Sequence, residues 1–161
     1  MGGYPVTSQT AQFLLDFCRF IISEWKKGNT LTGPIHLYGV DHVNPHPDAN
    51  YTKPILMLIN ELDFSGGDFM PAIMQDNKRA FLMGGKTAGA GGFVAKSSFP
   101  NRYGIDYFFY TASIAKRIDS NPIENLGVSP DLPYDLTPFD IQHKYQGFRA
   151  EIKNALLNMI R

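Results

Sequence analysis

The chain has 161 residues, a formal net charge of zero from 15 basic and 15 acidic side chains, and 43% hydrophobic residues. That length suits one domain with a sizeable core, and the even charge offers no footprint for nucleic acid or an anionic membrane surface. The lone cysteine, Cys18, excludes an internal disulfide framework.

Residues 1–5 lack the basic and apolar regions of a signal peptide. Phe13 to Trp25, the most apolar long segment, is interrupted by Asp16, Arg19 and Glu24, so no bilayer span is expected there. Thr7 or Ser8 caps an expected helix running to about Lys27, with Phe13, Leu14, Phe17, Cys18, Ile21 and Trp25 on one face. Lys26 and Lys27 suit its C-terminal end and Gly28 its stop. Cys18 falls in the apolar stripe and reads as a core residue. Residues 29–53 are irregular. His42 and His46 have a zinc-compatible spacing only on a helix, which Pro45 and Pro47 forbid, so no metal site is expected.

Pro54 to Asn60 is a short apolar run that reads as a strand covered on both faces. Phe69 to Asn77 reads as a helix with Phe69, Ile73 and Met74 on one side. Between them lies Asp63-Phe64-Ser65-Gly66-Gly67-Asp68. A serine at such a junction has two readings. With Asp68 three residues on, Ser65 resembles a capping box and would be a cap only. As a nucleophile it would stand beside the unpaired N–H groups of a helix N-terminus, where an oxyanion is stabilised. Gly66 and Gly67 each cost roughly 1 kcal/mol relative to Ala in a helix, and they leave the backbone open to a ligand.

Arg79 to Met83 reads as a second strand. The glycine-rich run Gly84 to Gly92 lacks the residue order of a phosphate loop. Phe93–Ser98, Ile105–Ala112 and Ser113–Ile118 read as further strands, with a turn at Asn101–Gly104. Residues 119–138 read as loop, and a helix from about Ile141 to Ile160 ends the chain. Strands alternating with helices give an α/β protein with a mixed sheet.

The motifs then converge on a family. Gln75-Asp76, Arg79-Ala80 and the loop Gly84-x-x-Thr87-x-Gly89 follow Ser65 in the order found in the C-terminal-processing (tail-specific) serine proteases. Glu124-Asn125-Leu126-Gly127-Val128-Ser129-Pro130-Asp131 resembles a later element of the same family, so the resemblance covers about residues 54–131. It implies a crotonase/Clp-protease-like mixed sheet with flanking helices and peptide-bond hydrolysis through an acyl-enzyme. It implies no metal or organic cofactor. Ser65 would be the nucleophile and the Gly66 N–H an oxyanion donor, with Thr87, Ala88 and Gly89 on the substrate side.

One departure matters. The family's general-base lysine follows the second glycine of that loop, as Gly-Lys-Gly, where this chain has Gly89-Ala90-Gly91, and Lys86 comes four positions too early. A serine without a base is a poor nucleophile. In Asp63-Phe64-Ser65 and the run Thr87 to Val94 the chain resembles the family's Ser-His-Glu branch, typified by a secreted chlamydial protease. There Glu124 would orient a histidine, and the spacing of 59 positions (124 − 65) fits. That histidine is expected far upstream of the serine. His36, His42 and His46 lie close before the Ser65 strand, and His143 follows both other members.

The expectation is therefore one domain, 1–161, forming the C-terminal catalytic subdomain of a longer protease. Its partners would be a polypeptide substrate and the upstream part of the same protease, which would be secreted or periplasmic. Two alternatives stay open: a peptide-binding domain of the same fold without a base, and another acyl-transfer enzyme such as a thioester hydrolase. For the latter, Lys86 is the only basic residue in the glycine-rich loop.

Overall fold

The computed structural model describes residues 7–36, 46–49 and 51–160, so His42 lies outside the described residues. The chain separates into two units, Met1–Tyr51 and Thr52–Arg161.

In the first unit, helix α1 (Ser8–Lys26) starts at Thr7, whose hydroxyl accepts from the Thr10 N–H at 3.2 Å. Gly28, at φ +78°, ends it. The expected apolar stripe is not a buried face. Phe17, Ile21 and Trp25 are exposed, and Cys18 is exposed instead of lying in a core. The one buried residue of α1 is Glu24. Its carboxylate accepts from Lys27 Nζ at 2.6 Å, Asn29 Nδ2 at 2.9 Å and the Gly33 N–H at 3.0 Å, which pins the turn after the helix.

In the second unit, β1 (Leu56–Ile59), α2 (Gly66–Asp76) and β2 (Phe81–Gly84) form a strand-helix-strand crossover. β1 pairs parallel with β2 from Leu56↔Phe81 to Ile59↔Gly84. A two-residue strand, β5 (Leu132–Pro133), pairs parallel with the other edge of β2 and falls within the stretch expected to be loop. The sheet order is β1-β2-β5, so this sheet is wholly parallel rather than mixed. The antiparallel pairing belongs to a separate ladder of β3 (Val94–Ser97) and β4 (Phe108–Thr111). The fold is mixed α/β with a parallel sheet and flanking helices. Ile59, Ala72, Leu82, Ile123 and Val128 form its core, with Met57, Phe69, Ala80 and Ala115 packed against them.

Four further expectations change. β1 lies at the sheet edge, and its Leu58 is exposed although both faces were expected to be covered. Helix α2 begins three residues earlier than expected and buries Asp68, Pro71 and Ala72, while Ile73 faces solvent. Residues 113–118 form no strand, only an isolated bridge between Lys116 and Pro122. The last helix is two. α3 (Pro138–Gln142) starts on a Thr137–Asp140 capping box, and α4 (Gln146–Met159) follows a break at Lys144 and Tyr145, both left-handed at φ +54° and +61°.

The C-terminal end of α2 is tied to the sheet through side chains. Gln75 Nε2 donates to the Ser129 carbonyl at 3.1 Å and to Asp131 Oδ1 at 2.8 Å. Asp131 Oδ2 in turn accepts from the Leu82 N–H at 2.7 Å. Arg117 donates to Gln75 Oε1 at 2.8 Å and pairs with Asp76, both charged side chains being less than a fifth exposed. Thus Gln75, Asp76 and Asp131, three of the motif residues, are structural ties between helix, sheet and the segment before β5.

Two outcomes follow. Removing Arg117 leaves the Asp76 carboxylate without its cation, so Arg117→Ala is expected to lower unfolding stability by about 1–3 kcal/mol in urea titrations, with an unchanged slope. Glu24 is held at about 2, below the ordinary glutamate value of 4.5, by the Lys27 donor first and then by the Gly33 and Asn29 donors. Its contribution to the 24–33 turn is therefore complete above pH 4.5 and is lost as pH falls through about 2. The Gly33 amide resonance, followed by NMR against pH, should move over that window in the native chain and not in Glu24→Gln.

Candidate active site

The turn after β1 is built by two side chains. Asn60 Oδ1 accepts from the Leu62 N–H and Asp63 Oδ2 from the Asn60 N–H, both at 2.8 Å. This local side-chain bonding lets the chain reverse sharply before α2. Ser65 follows at φ +54°, ψ −112°, a conformation that a non-glycine residue holds at a cost of about 1–3 kcal/mol. It is exposed, at the strand-to-helix junction expected for it.

The capping-box reading does not hold. Ser65 makes no side-chain capping bond. Its carbonyl accepts from the Asp68 N–H at 2.9 Å and the Phe69 N–H at 3.0 Å, while the Gly67 N–H goes to the Phe64 carbonyl. That leaves the Gly66 N–H as the amide beside Ser65 with no partner among the described residues, and a Cβ at Gly66 would meet nothing within 4 Å. An open, polarised donor next to a free hydroxyl is the arrangement an oxyanion requires.

Asp68 is instead wholly buried and anchors the glycine-rich loop. Its Oδ1 accepts from Thr87 Oγ1 at 2.6 Å and the Gly89 N–H at 2.8 Å, and its Oδ2 from the Ala90 N–H at 2.9 Å. The Ala88 N–H donates to the Asp63 carbonyl at 2.8 Å. The three residues expected on the substrate side thus differ in place. Thr87 and Gly89 are buried, Ala88 is exposed, and all of their N–H groups bond within the chain. Gly89, at φ +77°, has room for no side chain, since its Cβ would lie 2.8 Å from the Gly127 nitrogen.

Glu124 enters from the turn that this loop supports, the Asn125 N–H donating to the Gly89 carbonyl at 2.7 Å. Its Oε1 accepts from Thr111 Oγ1 at 3.1 Å. Its Oε2 is buried and has no hydrogen-bond partner among the described residues. Such an oxygen costs about 1–3 kcal/mol when no donor reaches it. Among the described residues no histidine supplies that donor. His36 and His46 are exposed in the first unit, and His143 is exposed, stacked on Phe139 with Nδ1 2.9 Å from its carbonyl. Lys86 and Ala90 are exposed. No cluster of metal-ligating side chains occurs among the described residues, and no described helix is long and apolar enough to cross a membrane.

Thr111 and Gly92 were not singled out by the sequence, and Asp68 was read there only as the far end of a capping box. Gly92 is bare because a Cβ there would lie 2.3 Å from Thr111 Cγ2, 2.4 Å from the Ser113 carbonyl oxygen and 3.4 Å from Glu124 Oε2. Gly92→Ala should therefore push the end of β4 away from Glu124. The expected loss is about 1–3 kcal/mol of stability in chemical denaturation, and a crystal structure should show the Thr111–Glu124 bond broken.

Residues 21–134 match the family model described as peptidase family S41. An uncharacterized protein of Chlamydia muridarum (strain MoPn / Nigg) is 46% identical over 156 residues, covering 96% of this chain and 26% of that protein. A Chlamydia trachomatis serovar D protein is 43% identical over 162 residues, covering 99% of this chain and 27% of its own. The structure of mature CPAF complexed with lactacystin superposes with a TM-score of 0.84 at 43% identity, over 99% of this chain and 31% of that one. The chain spans about a quarter to a third of the length of these relatives.

Proposed function

Because the chain belongs to peptidase family S41, we propose that it carries the nucleophile and the orienting carboxylate of a serine peptidase of the Ser-His-Glu type. The observation that carries this reading is the buried, unpartnered Glu124 Oε2. An imidazole N–H is the donor it fits, because the other ring nitrogen then faces a nucleophile as a base. The histidine comes from another part of the protein, and the whole belongs to the crotonase-like architecture of the family. The CPAF likeness supports this reading.

In the acylation step Ser65 Oγ forms a bond to the peptide carbonyl carbon and its proton passes to the imidazole. The carbonyl oxygen takes the negative charge beside the Gly66 N–H. Collapse breaks the C–N bond and the imidazole proton leaves with the amine. Water repeats the sequence on the ester. Glu124 holds the tautomer that makes the ring a base. The strained Ser65 backbone presents Oγ ahead of the helix instead of folding it back as a cap.

A fluorophosphonate reagent tests this. The chain alone should label negligibly, since Ala90 stands where the family lysine belongs. The full-length protein should label at Ser65 and hydrolyse an unstructured polypeptide. Ser65→Ala should abolish both, and Glu124→Gln should lower kcat by about 10²–10⁴-fold. Full-length protein that is folded yet inert would point to a peptide-binding domain that has lost its base. Rapid labelling of the isolated chain would place the base within it, among His36, His42, His46 and His143.

A further inference from the structure

Asp68 has no part in the chemistry just described, yet it is the most thoroughly enclosed ionisable side chain of the second unit, with no solvent exposure. We propose that Asp68 is a positioning residue that fixes Ser65 relative to Glu124. The inference rests on the serine-peptidase reading for its consequence and on geometry for its substance.

Two sets of bonds meet at this residue. On one side its own amide holds the Ser65 carbonyl at 2.9 Å, so the Asp68 backbone fixes the peptide that carries the nucleophile. On the other, its carboxylate takes the Thr87 hydroxyl and the Gly89 and Ala90 N–H groups. The segment bearing Glu124 hangs from that same loop. Thr87 Oγ1, having donated to Asp68, accepts from the Val128 N–H at 2.7 Å, and the Thr87 N–H donates to the Val128 carbonyl at 3.1 Å. The Asn125 N–H completes the attachment at Gly89. From Ser65 to the residue next to Glu124 the path is one helical turn, one carboxylate and one loop residue. No cation is bonded to Asp68 among the described residues, so three hydrogen-bond donors satisfy it, and all three belong to the loop.

An amide in place of the carboxylate keeps the shape and turns one acceptor into a donor, which then faces an N–H or the Thr87 hydroxyl. The loop must shift, and with it Glu124 relative to Ser65. A displacement near 1 Å at a reacting geometry costs on the order of 10²-fold in rate.

The experiment uses the full-length protein with Asp68→Asn and, separately, Thr87→Val, which removes the donor and the relay without touching α2. Expected for each folded variant is a fall of on the order of 10²-fold in kcat and in the rate constant of Ser65 labelling, with KM within about twofold. Amide hydrogen exchange should quicken at Gly89, Ala90 and Asn125 and stay unchanged in β2 and α4. If Asp68→Asn does not fold, Thr87→Val decides by the same measures. Native labelling rates, native exchange at those amides, or exchange raised uniformly through β2 and α4 would each overturn the proposal. Should the native protein itself fail to label, the peptidase reading falls. The exchange pattern then still decides whether Asp68 fixes the loop.

Discussion

A buried carboxylate presents several lone pairs, and each left without a donor weakens the fold. Asp68 meets that demand with three donors from consecutive parts of one loop. Bonds to Asp63, Val128 and Asn125 hold the same residues from other sides, and the Glu124 turn that follows is attached to that loop. The glycines of the loop are a consequence of this contact. A backbone drawn onto a carboxylate one helical turn from Ser65 passes so close to Gly127 and Ile123 that side chains at Gly89 and Gly91 would collide.

The same helix is fixed at its other end by a different chemistry. There Gln75 and Asp76 meet Arg117, Asp131 and the Leu82 amide, in a partly exposed network with one ion pair. With both ends held, α2 cannot slide along β2, and the strained Ser65 backbone at its start has no easy way to relax. Strain of this kind persists only where the surroundings over-determine it. Helix position, loop course and serine conformation are one constraint seen from three places.

This explains which features were legible in the sequence. Thr7 and Gly28 bound α1 because capping and helix termination are local decisions written in single residues. The Ser65 junction was visible for the same reason. Asp68 was misread because Ser-x-x-Asp satisfies the local rule for a capping box, and only a tertiary partner nineteen residues away, Thr87, takes the carboxylate elsewhere. β5 escaped notice because two residues carry no period, and its pairing is dictated by β2. The final helix looked continuous because Lys144 and Tyr145 are ordinary helix-compatible residues, driven left-handed between two helices. Cys18 followed its apolar stripe on the sequence, and the stripe is open to solvent in the structure.

Glu124 belongs to a different order of inference, since neither its residue type nor its spacing separates a catalytic carboxylate from a structural one. What bears on the proposed role is how its two oxygens are treated. Oε1 is held by Thr111, as a structural carboxylate would be, and Oε2 is buried with no donor among the described residues. A side chain serving only the local fold would turn Oε2 outward, because water would satisfy it at no cost in packing. Thr111 holds Oε1, and a side chain at position 92 would come within 3.4 Å of Oε2. Under the proposed function, an enclosed acceptor left without a donor is what an orienting group for an incoming imidazole has to offer.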